Sequence, residues 1–156
     1  MSNLQSQQLL QNISALLENA RKKVAVVINH TMVLTYYEIG RMIVEDEQNG
    51  EDRAEYGKTI LRDLSLHLIK RFGKGFSETN LKQMRQFYLS YSIGQTPSDV
   101  FQISKTISAK FNLSWSHYLK LMRMSDIQER KFYEIESFKN NWSLIRFLSI
   151  FLIQRI

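Results

Sequence analysis

Asp126 together with Glu129-Arg130-Lys131 spells two acids and a lysine, the set a metal-dependent nuclease places on adjacent strands around its ion. The setting is wrong for that use. SDIQERKFYEIESF reads as a capped helix, so its charges are expected to pair on a solvated face. A second acidic group, Glu45, Asp46, Glu47, Glu51 and Asp52, flanks the turn signal Asn49-Gly50 with no histidine nearby, and reads as a solvated helix end and loop. His30, His67 and His117 lie far apart and form no HExxH pair, and RFGKGF lacks the spacing and the Ser/Thr of a phosphate-binding loop. The chain has no cysteine, which removes thiolate nucleophiles, disulfides and cysteine-based zinc sites. No catalytic residue, no metal site and no cofactor is expected.

A binding chemistry is better supported. Ser77 is a natural N-cap, with Phe76 before it and Leu81 after it at the spacing of a hydrophobic staple. The helix it starts carries Thr79, Lys82, Gln83, Arg85, Gln86 and Ser90 outward, and Leu81, Met84, Tyr88 and Tyr91 are expected inward. Lys70, Arg71 and Lys74 end the preceding helix and its glycine turn. A helix with a polar first turn, resting on an earlier helix and edged by cations, has what entry into a DNA major groove requires. Thr79, Asn80, Gln83 and Gln86 can bond base edges, and Lys70, Arg71, Lys74, Lys82 and Arg85 can meet phosphates. Backbone N–H groups at the Ser77 end can receive one more phosphate.

The charge distribution agrees. Net charge is +6, yet residues 1 to 57 hold five basic against eight acidic groups, and residues 58 to 85 seven against two. The basic excess falls on this pair of helices, which makes a polyanion the partner to test.

Elements that could position such a surface follow from punctuation and periodicity. One proline, Pro97, and six glycines favour long helices over the frequent turns of an all-β fold. Leu10, Ile13, Leu17, Ala20, Val24 and Val27 alternate steps of three and four, one buried stripe of a helix. Under three heptads are present, which favours packing against the chain's own helices over a dimer seam. A second helix is expected over HTMVLTYYEIGRMIVEDEQ, with Val33, Tyr36, Tyr37, Gly40, Ile43 and Val44 inward and Gly40 admitting a close neighbour. The next helix turns Ile60, Leu61, Leu64, Leu68 and Phe72 inward. SIGQTPSDV reads as a linker, and the β-branched stretch from 100 to 112 as a short hairpin or wing. Ser114, Ser125 and Ser143 are expected to cap three final helices.

The fold class expected is mainly α, a helical bundle with a helix-turn-helix or winged-helix-like unit and a short β wing. The divisions are an N-terminal helical pair over 1–54, the helix-turn-helix unit over 55–112 and C-terminal helices over 113–156, in one compact domain. No apolar run reaches the length of a membrane span and no secretory leader is evident, so a cytoplasmic protein without a membrane partner is expected.

TYYEIGRMIVEDEQNGEDRAEYGKTILRDLS, FGKGFSETNLKQMRQFY and LSWSHYLKLMRMSDIQERKFYEIESFKNNWS resemble the N-terminal domain of the YhcG family of bacterial PD-(D/E)xK nucleases. The order and spacing of YxIGRxIxxxEQ, YG, FGxGFS, FY and LSWSH carry the resemblance over most of residues 30 to 143. It implies a helical, winged-helix-like DNA-binding module joined in full-length members to a C-terminal nuclease domain that carries the catalytic carboxylates and lysine. The chain departs from the family in its tail, LIRFLSIFLIQRI, apolar nearly all round where the family helix is amphipathic, and it stops at Ile156. The expectation is a DNA-binding domain truncated before the catalytic core and therefore not itself an enzyme. The rival is an interaction or oligomerisation module of a nuclease or defence complex, acting through the first helices and the apolar tail. A homodimer and a separate nuclease subunit both stay open as protein partners.

Overall fold

The computed structural model describes residues 2–49, 53–92 and 111–154. The linker from 93 onward, the proposed wing up to residue 110, Gly50, Glu51 and Asp52 lie outside the described residues. Among the described residues every regular element is helical and there is no strand.

The first element corrects the expected helical pair: α1 is one helix, Ser2–Asn49. No Gly or Pro precedes Gly40 to interrupt it. At the expected break, Thr31 and Thr35 turn their hydroxyls back onto the carbonyls of Val27 and Thr31, each at 2.8 Å, so both threonines are satisfied within the helix. The second half buries Val33, Tyr37, Ile43 and Val44 as its spacing required. The first half buries none of its apolar stripe, which overturns the expectation that it packs on the chain's own helices.

Helix α2, Arg53–Phe72, ends at Gly73, whose φ of 96° lies in the region that favours glycine. Its N–H closes the last turn on the Ile69 carbonyl at 2.9 Å. Leu61 and Ser65 are buried, but Phe72, expected inward, is 60% exposed. The helix ends there, and the ring instead meets Phe76 at 6.0 Å and lies under the Arg71 guanidinium. A 3-10 turn, Lys74–Phe76, leads into α3, Glu78–Tyr91. Ser77 caps α3 by accepting from the Asn80 N–H at 3.3 Å, and Phe76 and Leu81 share one apolar cluster, as the staple spacing predicts.

Helix α3 is the central rod. Leu81 and Met84 pack with Ile43 and Leu61 in one cluster, while Phe87 joins Val33, Tyr37, Phe111, Tyr118 and others in a second. Phe87 was absent from the expected inner face, yet it is fully buried, and five aromatic rings lie within 6 Å of its own. Gly40 is where α1 and α3 touch: a Cβ there would sit 2.1 Å from the Met84 carbonyl oxygen.

Three short helices close the second cluster. They are α4 (Trp115–Leu121), α5 (Ile127–Lys139) and α6 (Leu144–Ile153). Ser114 and Ser143 stand at the expected caps, but α5 is capped by Asp126 rather than Ser125, through bonds from the N–H groups of Gln128 (2.7 Å) and Glu129 (3.2 Å). The apolar tail belongs to the fold: Phe147 is buried in the second cluster, Leu144, Leu148, Ile150 and Phe151 pack against that cluster, and Tyr133 donates its hydroxyl proton to Gln154. No helix among the described residues is long and apolar enough to cross a membrane.

Candidate nucleic-acid interface

Because Leu81, Met84 and Phe87 point into the core, the 100° step of a helix sends Thr79, Lys82 and Gln86 to the opposite side, where all three are exposed. Gln83 stands half-buried beside them. Thr79, Lys82, Gln83 and Gln86 line one shallow groove with Leu119, Met122 and Arg123 from α4 and its end. On the other flank Lys82, Arg85 and Gln86 face Glu47, Gln48, Gly57 and Lys58. Lys82 and Gln86 therefore form a ridge between two grooves, with Arg123 on one side and Lys58 on the other.

Several residues of the expected set have partners of their own. Asn80 donates its side-chain amide to the Gly75 carbonyl at 2.9 Å, which ties the turn to α3. Arg85 donates to Glu47 at 2.7 Å, and the Glu47 side chain is only 13% exposed. Lys82 lies 3.9 Å from Glu78, a loose exposed pair that a phosphate can displace. Lys70 and Arg71 are exposed in the last turn of α2, and Lys74 is exposed on the turn itself. Ser77 is occupied as a cap. Lys58 and Arg123 were missed by sequence reasoning, because only packing brings the ends of α2 and α4 beside α3.

Residues that resembled catalytic groups have structural roles. Arg130 donates to the carbonyls of Ser90 (3.2 Å) and Met124 (2.9 Å), so it joins α5 to α3 rather than pairing on a solvated face. Glu45 pairs with Arg41 and Asp46 accepts from the Tyr56 hydroxyl at 2.9 Å. His117 is buried between the Ser114 hydroxyl (2.7 Å) and the Trp142 carbonyl (3.0 Å). Since a carbonyl only accepts, Nε2 carries the proton and Nδ1 accepts from Ser114. Burial pushes the imidazole below its usual value, and the bond to Trp142 offsets part of that. Desolvation likewise raises the Tyr118 hydroxyl, which donates to Glu134 at 3.2 Å. No group of three or more His, Asp or Glu that could hold a metal ion occurs among the described residues.

The DUF1016 N-terminal domain profile matches residues 12–151. The chain belongs to the DUF1016 N-terminal domain family. The match reaches from the first half of α1 into α6, so the apolar tail lies largely within the DUF1016 region. A relative from Escherichia coli (strain K12), named "Putative nuclease YhcG", is 40% identical over 158 residues, covering 88% of this chain. The chain spans 42% of that relative's length. No solved structure matches this chain.

Proposed function

We propose that this DUF1016 domain binds duplex DNA through the exposed side of α3, with the nuclease chemistry supplied by other polypeptide, either further sequence of the kind its longer relative has or a separate subunit. In this role α2, the 3-10 turn and α3 act as a helix-turn-helix unit. The observation that carries it is the exposed side of α3, where Thr79, Lys82 and Gln86 are directed away from the core with half-buried Gln83 beside them, flanked by Arg123 and Lys58.

Gln83 and Gln86 present amides able to engage adenine in a bidentate way, and Thr79 adds a hydroxyl. Lys82 and Arg123 anchor phosphates beside them. Lys70, Arg71 and Lys74 meet the backbone where α2 turns into α3. Asn80 and Arg85 act through the turn and through Glu47, and Ser77 serves by fixing the direction in which α3 starts.

A titration with duplex DNA at two salt concentrations tests this. Each phosphate contact releases condensed counterions, so replacing Lys74 and Lys82 by Ala should weaken binding to all sequences and flatten the log K against log salt slope by about 0.9 per lost contact. Gln83→Ala should change sequence preference by about 1–3 kcal/mol at one base pair and leave the slope alone. Unchanged affinity and slope in the double lysine variant would reject this surface.

A further inference from the structure

From Leu10 to Val27 the stripe of large apolar residues on α1 is between 47% and 66% exposed, although it has the three-four spacing of a helix-packing seam. We infer that this first half of α1 is an arm that pairs antiparallel with the same arm of a second copy of this chain. A helix with no tertiary neighbour among the described residues is marginal in water by itself, and a contiguous apolar stripe of this length marks an interaction surface. The arm therefore needs a cover, and its own sequence supplies one.

In heptad terms Leu10, Leu17 and Val24 occupy a positions, and Ile13, Ala20 and Val27 occupy d positions. Opposed arms can be set so that Leu10 meets Val27 of the second copy, Ile13 meets Val24, and Leu17 meets Ala20. Every layer is filled and the small alanine faces a leucine. Parallel arms would put Ala20 against Ala20 and leave a gap, and would place branched Ile13 and Val27 at d, where two-stranded parallel coils favour leucine. Charge argues the same way. Parallel arms hold two Arg21-Lys22-Lys23 clusters level, whereas the antiparallel order moves them about 10 Å apart along the axis and lays the Lys23 stem over Leu16 of the second copy.

The length suffices. Residues 4 to 29 make a strip about 39 Å long, and half the girth of a helix about 10–12 Å across gives about 600 Å² per partner. The pair buries about 1,200 Å², the lower bound of specific interfaces.

The test uses the whole chain without DNA, so its outcome is separate from that of the DNA reading. Light scattering at micromolar concentration should give twice the 18.5 kDa chain mass. Ile13→Asp with Leu17→Asp should return it to the single-chain mass, with pairing weakened about a hundredfold or more by carboxylates forced into the seam. Since the chain lacks cysteine, Leu10→Cys and Val27→Cys chains can be mixed and oxidised. A mixed disulfide dimer is expected, with neither variant cross-linking to itself. A single-chain mass for the wild-type protein, a tetramer, or a disulfide between two Leu10→Cys chains would overturn the proposal.

Discussion

Arg85 and Lys82 sit one turn apart on α3 and share a groove, yet their environments separate them. Arg85 satisfies a nearly buried Glu47, so Arg85→Ala should cost about 1–3 kcal/mol in chemical denaturation, the penalty of a buried carboxylate left without its donor. Lys82→Ala should cost about 0.5 kcal/mol or less, because an exposed pair at 3.9 Å contributes little, and its effect should appear in the DNA titration. His117 gives the pH dependence. Its folded imidazole titrates below the usual 6.5, so the unfolded chain takes up protons first as pH falls. Stability is therefore full above the unfolded value and declines as pH drops through 6.5 toward the folded value. Melting curves from pH 8 to pH 5 should show this decline in the wild type and a flatter profile in His117→Gln, which keeps an amide for Trp142. The donor and acceptor chemistry of His117 was present in its type and Ser114 lies within the same turn, but the Trp142 carbonyl on its other side was invisible until the helix ends came together.

At the scale of elements, two aromatics test how the helices meet. Phe87→Ala should cost about 3–5 kcal/mol, since it empties the centre of an aromatic cluster, and Phe72→Ala less than about 1 kcal/mol because its ring is largely in water. Denaturation followed by Trp115 and Trp142 fluorescence reads both. Periodicity turns Phe72 inward and passes over Phe87 in favour of its neighbour Tyr88, whereas Phe87 is fully buried and Phe72 largely exposed. Helix phase tolerates an error of one position, and the end of a helix releases its last side chain from the seam. Gly40→Ala should be among the most damaging small changes, because its Cβ would lie 2.1 Å from backbone that has no freedom to yield. A loss of about 1–3 kcal/mol is expected from the overpacking alone. The close helix approach at Gly40 was legible in sequence; its partner, Met84, was not.

For the whole molecule the two proposals combine. If α3 reads the duplex and α1 pairs two chains, a DNA long enough to seat both copies gains effective concentration from the arm. Wild-type protein should bind a long duplex about 10²-fold more tightly than the Ile13→Asp/Leu17→Asp variant, and a duplex seating one copy equally well. A direct comparison of the two duplex lengths by titration checks this. The expected helical pair over residues 1–54 gave way at this scale, since a local pattern shows that a stripe exists and leaves open what lies against it.

The sequence by itself determined the helical class, the cap and staple that start α3, the close contact at Gly40, the basic middle of the chain and the family resemblance. All of these rest on neighbours within a few turns, where spacing and residue type act directly. The tertiary structure alone decided that Phe87 is the hub, that Arg85 is held by Glu47, that Arg123 stands beside Gln83, and that the stripe from Leu10 to Val27 is bare. Those facts depend on which distant segments share space, and the chain sets that by burying its apolar surface as a whole rather than by any local signal.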